Sequence, residues 1–136
     1  MKILGVGYPR TGTLTLVEAL RTLGYRTVHH LEKERPSFFP EPDASWRIYD
    51  DVEAVVNMTA VLFWEELAGA YPDAKVILTI RGPGPWYDSN VAHAAYNRGK
   101  FGAKQQEWSD RLGRLLFGTV QENRYWWTRR YHEHTR

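Results

Sequence analysis

The most constraining stretch of this chain is KILGVGYPRTGTLTLVEALRTLG, residues 2–24, in which an apolar run passes through a glycine-punctuated loop straight into an amphipathic segment. Lys2 to Val6 reads as a short buried strand. Thr13 to Leu23 sets Leu16, Val17, Leu20 and Leu23 on one helical face, and Gly24 ends that helix. A strand that feeds a helix through a tight turn is the first half of a β-α-β unit, which implies a parallel sheet and crossover helices.

The later segments extend that pattern. Tyr25 to His30 alternates as a second strand, and ERPSFFPEPD, rich in proline, is a loop. Glu53 to Asn57 reads as a third strand. Thr59 to Tyr71 reads as one helix that stops before Pro72. Lys75 to Ile80 (KVILTI) is a β-branched run of the kind buried on both faces of a parallel sheet. A helix from about Trp86 to Asn97, with Pro85 in its first turn, follows the turn GPGP. A last helix, or a broken pair, runs from about Lys104 to His132, weakened inside by Gly113 and Gly118. The sequence thus predicts an α/β fold with a mostly parallel sheet flanked by helices.

The loop itself limits the chemistry. Gly7 and Gly12 keep the spacing of the nucleotide loop GxxxxGK[ST], but Thr13 stands where its lysine belongs and Leu14 where its magnesium-binding hydroxyl belongs. Hydrolysis of ATP or GTP, which leans on both, is not expected. An anion site remains: the amides of Arg10 to Leu14 converge at a helix N-terminus, and Arg10 adds a fixed cationic fork. A dinucleotide loop fits less well, because Arg10 occupies the third glycine position and no acid ends the second strand. A second anion site is suggested by Arg81 at the end of KVILTI, with Ser89 eight residues on.

Composition confines any anion binding to such local sites. With 18 basic and 16 acidic residues in 136 the net charge is only +2, too small for a general pull toward nucleic acid or membrane. There is no cysteine, hence no disulfide or thiolate ligand, and His132 and His134 are two apart, on different helix faces, so no metal is implied. The opening segment is too short for a signal peptide and no apolar run could span a bilayer, so a single cytoplasmic domain is the expectation. The basic, aromatic tail RYWWTRRYHEHTR leaves a nucleic-acid surface as an alternative to a half-buried helix.

The stretches YPRTGTLTLVEALRTLGY, FWEELAGAYPDAKVILTIR and PWYDS resemble the P-loop sulfotransferases, in particular the branch whose loop reads PRTGT. The resemblance implies a P-loop-type three-layer fold and transfer of a sulfuryl group from 3′-phosphoadenosine-5′-phosphosulfate (PAPS) to a small-molecule hydroxyl or amine, without a metal. By the same resemblance Arg10, Thr11, Gly12, Thr13 and Leu14 would hold the 5′-phosphosulfate, and Arg81 with Ser89 the 3′-phosphate. His30, which matches the histidine of the family's YHM stretch, is the candidate general base, with Arg10 stabilising the leaving phosphate.

The chain departs from the family at Asn57-Met58-Thr59, where a DxP stretch is common, at Gly82, where aspartate is common, and in stopping at Arg136. A family fragment, or a naturally shortened relative, is therefore expected. If the absent strand normally flanks the first, an open sheet edge would favour a homodimer. A catalytically inactive remnant and a nucleotide- or nucleic-acid-binding module stand as alternative readings.

Overall fold

The computed structural model describes residues 1–29 and 46–136. These form two compact units, Met1–Ile80 and Arg81–Arg136.

The first unit is built on four parallel strands, β1 (Ile3–Gly5), β2 (Thr27–Val28), β3 (Ala54–Val56) and β4 (Lys75–Ile77), in the order β2-β3-β1-β4. Ile3, Leu4 and Gly5 of β1 lie opposite Ala54, Val55 and Val56 on one side and Lys75, Val76 and Ile77 on the other. β1 and β3, each paired on both sides, are buried throughout, as the apolar runs require. Alternation along the strands sends side chains to two cores. Ile3, Ala54 and Val56 meet Val17 and Leu20 of α1 (Thr13–Thr22). Leu4 and Val55 face the other way, onto Ala60 of α2 (Met58–Leu62) and Leu67 of α3 (Trp64–Ala70), with Tyr49 and Tyr71 closing that side. Helix, sheet and helices make the three layers of a P-loop-type α/β fold. Burying a residue such as Leu4 or Val55 contributes about 1.5–3 kcal/mol, so the two cores carry the unit.

The second unit is helical: α4 (Pro83–Arg98), α5 (Ala103–Phe117) and α6 (Arg124–Thr135), with α6 packed on both others. Its core is aromatic. Trp86 stacks on Tyr131 with ring centroids 4.3 Å apart and 15° between planes, and Phe117 stacks on Trp127 at 4.4 Å and 22°. Asn123 caps α6, its side-chain oxygen accepting from the Trp126 amide at 3.0 Å.

Several expectations need correction. Thr59 to Tyr71 is two helices, broken at Phe63, whose backbone (φ −129°, ψ 35°) is not helical. KVILTI is not a strand buried on both faces: β4 is three residues long and, among the described residues, pairs only with β1, and Val76, Leu78 and Ile80 are exposed. The first strand has no open side, and among the described strands the edges belong to β2 and β4. Leu23 lies beyond the end of α1 and is solvent-exposed, outside the apolar face assigned to it. α4 begins at Pro83 rather than near Trp86. Of the two readings of the C-terminal stretch, one helix or a broken pair, the pair is what forms, parted where Gly118 takes φ 77°. ERPSFFPEPD and His30 lie outside the described residues.

Candidate functional site

In a parallel sheet every strand delivers its carboxyl end to the same border, where ligands of open α/β sheets gather. Here all four do so with polar groups. β1 leads into the loop Gly7–Gly12, and His29, Asn57 and Thr79 follow β2, β3 and β4.

The loop is packed against the end of β4. Thr11 is buried; its hydroxyl donates to the Tyr8 carbonyl at 2.6 Å and lies 2.7 Å from the Thr79 hydroxyl. Gly7 is fixed by that packing. A Cβ there would fall 1.9 Å from Thr79 Oγ1 and 2.8 Å from both the Thr79 carbonyl oxygen and Thr11 Oγ1. Only hydrogen fits. Beyond it Arg10 (φ 70°) and Gly12 (φ 93°) take left-handed conformations on either side of Thr11. Gly12 adopts that region without steric cost, whereas Arg10 does so at about 1–2 kcal/mol. Strain of this kind on an exposed arginine is retained where surrounding contacts impose it and concentrates at functional sites.

α1 opens directly from the loop, with Gly12 as its N-cap. No side chain caps this end and no acid occupies the first turn, so neither a local acceptor nor a carboxylate competes for its amides. The first amide turned back into the helix is that of Leu16, which donates to the Gly12 carbonyl at 3.1 Å. The amides of Thr13 and Leu14 lie ahead of it, at the positive end of the helix dipole. This is the chemistry of an oxyanion or phosphate cradle.

Two further residues stand on this border, and the sequence reading passed over both. His29 Nε2 lies 3.3 Å from Asn57 Nδ2 and 3.4 Å from the buried Thr13 hydroxyl. A ring nitrogen accepting from an amide NH₂ carries no proton of its own, so the arrangement suits a neutral imidazole. Burial holds the His29 pKa below the ordinary histidine value; Arg21 adds to the effect and Glu18 opposes it. β2 ends at Val28, so His29 belongs to the rim and not to the strand.

Asn57 is the second. Its backbone (φ 78°, ψ −152°) occupies a region otherwise nearly confined to glycine. It is buried, and its side-chain oxygen has no hydrogen-bond partner among the described residues. A strained, buried, half-satisfied asparagine is a signature of a constrained site. The only sequence-level signal was its standing where the family commonly has its DxP stretch.

In the second unit Arg81 is exposed and immediately precedes Gly82, the N-cap of α4, and Ser89 lies half-buried in the second turn of that helix. The Arg81 amide and carbonyl both engage the Tyr131 hydroxyl. The basic tail is largely matched by acids: Arg124 pairs with Asp88 at 3.0 Å, and Arg129 and Arg130 with Glu133 at 2.9 and 3.6 Å. Trp127 and Tyr131 of that tail are core residues. No helix is long and apolar enough to cross a membrane among the described residues.

Comparison with known proteins gives one family match and one relative. The sequence matches the sulfotransferase domain family over residues 2–41 and 34–136, nearly its full length. It is also similar to the Ava biosynthesis cluster protein M of Aspergillus versicolor, with 34% identity over 108 residues. That alignment takes in 65% of this chain and 41% of the fungal protein, so the similarity spans less than half of that relative.

Proposed function

This chain belongs to the sulfotransferase domain family, and from that premise we propose that it binds PAPS and transfers its sulfuryl group to a small-molecule hydroxyl or amine. The supporting observation is the start of α1: amides at an N-terminus with no side-chain cap and no first-turn acid, behind a loop in which Gly7 has room for no side chain. Such a cradle fits a phosphosulfate. When bound, the donor supplies a sulfuryl group already activated by its anhydride link to phosphate.

The chain's own residues then have defined tasks. The amides of Gly12 to Leu14 hold anionic oxygens of the 5′ end, the Thr11 amide being turned onto the Tyr8 carbonyl within the loop, and the Arg10 guanidinium stabilises the charge left on the departing phosphate. Arg81 and Ser89 hold the 3′-phosphate. Holding the phosphosulfate end fixes the attack line, and in transfers of this type positioning is most of the catalysis. His30 is proposed to take the proton from the acceptor as it attacks. His29, with Nε2 unprotonated, accepts from the Thr13 hydroxyl and so fixes its direction.

The test is titration of 3′-phosphoadenosine-5′-phosphate, the desulfated product, followed by thermal melting. At a hundredfold excess over Kd a single site stabilises by about 2.7 kcal/mol, a readily measured shift. Arg10→Ala and Arg81→Ala should each abolish it. Stabilisation by ATP but not by the bisphosphate would refute the reading. Salt-sensitive binding of oligonucleotides in place of either would favour a nucleic-acid module.

A further inference from the structure

Arg81 lies past the end of β4, where no strand ladder holds it, and just before the helix that begins at Pro83. Its backbone is nevertheless fixed at both polar atoms by a single group 50 residues away. The Arg81 amide donates to Tyr131 Oη at 2.7 Å, and the Tyr131 hydroxyl donates to the Arg81 carbonyl, also at 2.7 Å. One phenol thus takes the place of a neighbouring strand for one residue. The phenol is itself immobilised: Tyr131 is only 2% exposed, and its ring lies flat on Trp86, which is fully buried in α4. Ser89 sits one turn further along that helix.

We infer that Tyr131 is a positioning residue for Arg81 and, through it, for recognition of a 3′-phosphate; the inference rests on the role given to Arg81 above. An arginine side chain has many rotamers, and an anchored backbone removes the additional freedom of its root, which is freedom lost on binding if it is not removed beforehand. Tyr131 also couples that root to the helix bearing Ser89, so both proposed phosphate contacts are built from one rigid piece. Tyr131 touches no ligand in this scheme. Its effect is confined to the 3′-phosphate.

The measurement is calorimetric titration of the full chain with 3′-phosphoadenosine-5′-phosphate and with 5′-AMP, which lacks the 3′-phosphate. The ratio of the two affinities reports that phosphate alone. Tyr131→Phe keeps the stacked ring and removes the hydroxyl. It should reduce the ratio about three- to tenfold, the factor carried by one buried hydrogen bond, and leave 5′-AMP affinity unchanged. In an Arg81→Ala background the same change should have no further effect on the ratio. A full ratio in Tyr131→Phe, when Arg81→Ala has lost it, overturns the positioning role and leaves the donor reading intact. A wild-type protein that does not distinguish the two nucleotides overturns both. Should Tyr131→Phe not fold, amide exchange on the unaltered protein decides: protection of the Arg81 amide is expected, and exchange at the rate of an open peptide refutes the clamp.

Discussion

Gly7→Ala is the substitution whose cost follows most directly from the geometry. The added methyl meets Thr79 Oγ1 at 1.9 Å, Thr11 Oγ1 at 2.8 Å and the Thr79 carbonyl oxygen at 2.8 Å. The threonine side chains can rotate aside, but only by giving up their 2.7 Å hydroxyl contact, worth about 0.5–1.5 kcal/mol. The carbonyl cannot rotate without moving the end of β4, and overpacking of that kind costs about 1–3 kcal/mol. The sum, about 1.5–4.5 kcal/mol, is a large part of the roughly 5–15 kcal/mol that typically holds a domain together. Gly12→Ala is the control. A Cβ there has nothing within 4 Å, so only the left-handed backbone is penalised, by about 1–2 kcal/mol, and Gly12→Asn should cost less still. Urea unfolding followed by circular dichroism gives the overall midpoint. Because the chain forms two units, exchange of the Leu4 and Val55 amides should be read alongside it. Thr79→Ala should rescue Gly7→Ala in part, removing the shortest contact and leaving the carbonyl. If Gly7→Ala unfolded within 0.5 kcal/mol of wild type, or Gly12→Ala were the more damaging, the close packing of loop on strand end would be wrong.

Asn57→Gly should be as stable as wild type or more so, since glycine relieves about 1–3 kcal/mol of backbone strain and loses little besides the 3.3 Å approach to His29. Asn57→Ala should be clearly less stable than Asn57→Gly in the same urea series; the reverse order would contradict the strained backbone. The His29 ring, followed by NMR, should titrate below its ordinary 6.5. Between that lowered midpoint and about pH 6.5 the unfolded chain binds more protons than the folded one, so stability rises with pH through the window and is lost as pH falls. His29→Gln should flatten the slope, and a slope unchanged by the substitution would assign it to other groups.

The parts of the fold legible in the sequence were those set by local pattern. β1, α1 and β3 follow from apolar runs and helical spacing, and the parallel arrangement follows from their alternation. What failed depends on partners distant in the chain. The β-branched run KVILTI reads as buried on both faces, but burial of a strand is decided by what flanks it, and among the described residues β4 has β1 on one side only. The break at Phe63 left no proline or glycine to read. The anion loop was recognisable from Gly7, Pro9, Arg10 and Gly12, although the reason for Gly7 lies 72 positions away, at Thr79. His29 and Asn57, 28 residues apart, meet only because β2 and β3 are neighbours in parallel register, and no spacing rule links them. The same holds for Arg81 and Tyr131.

The outward side of β4 bears on how this protein can be handled. Among the described residues β4 is laddered on one flank only, Val76 within it and Leu78 and Ile80 just beyond it are exposed, and Lys75 is the one charge in that run. Such a border accepts a foreign strand as readily as a native one, with only a lone gatekeeper to discourage it. Concentrated or warmed preparations would then lose monodispersity before they lose secondary structure, and refolding yield would fall with protein concentration while the cooperative transition itself stayed unchanged.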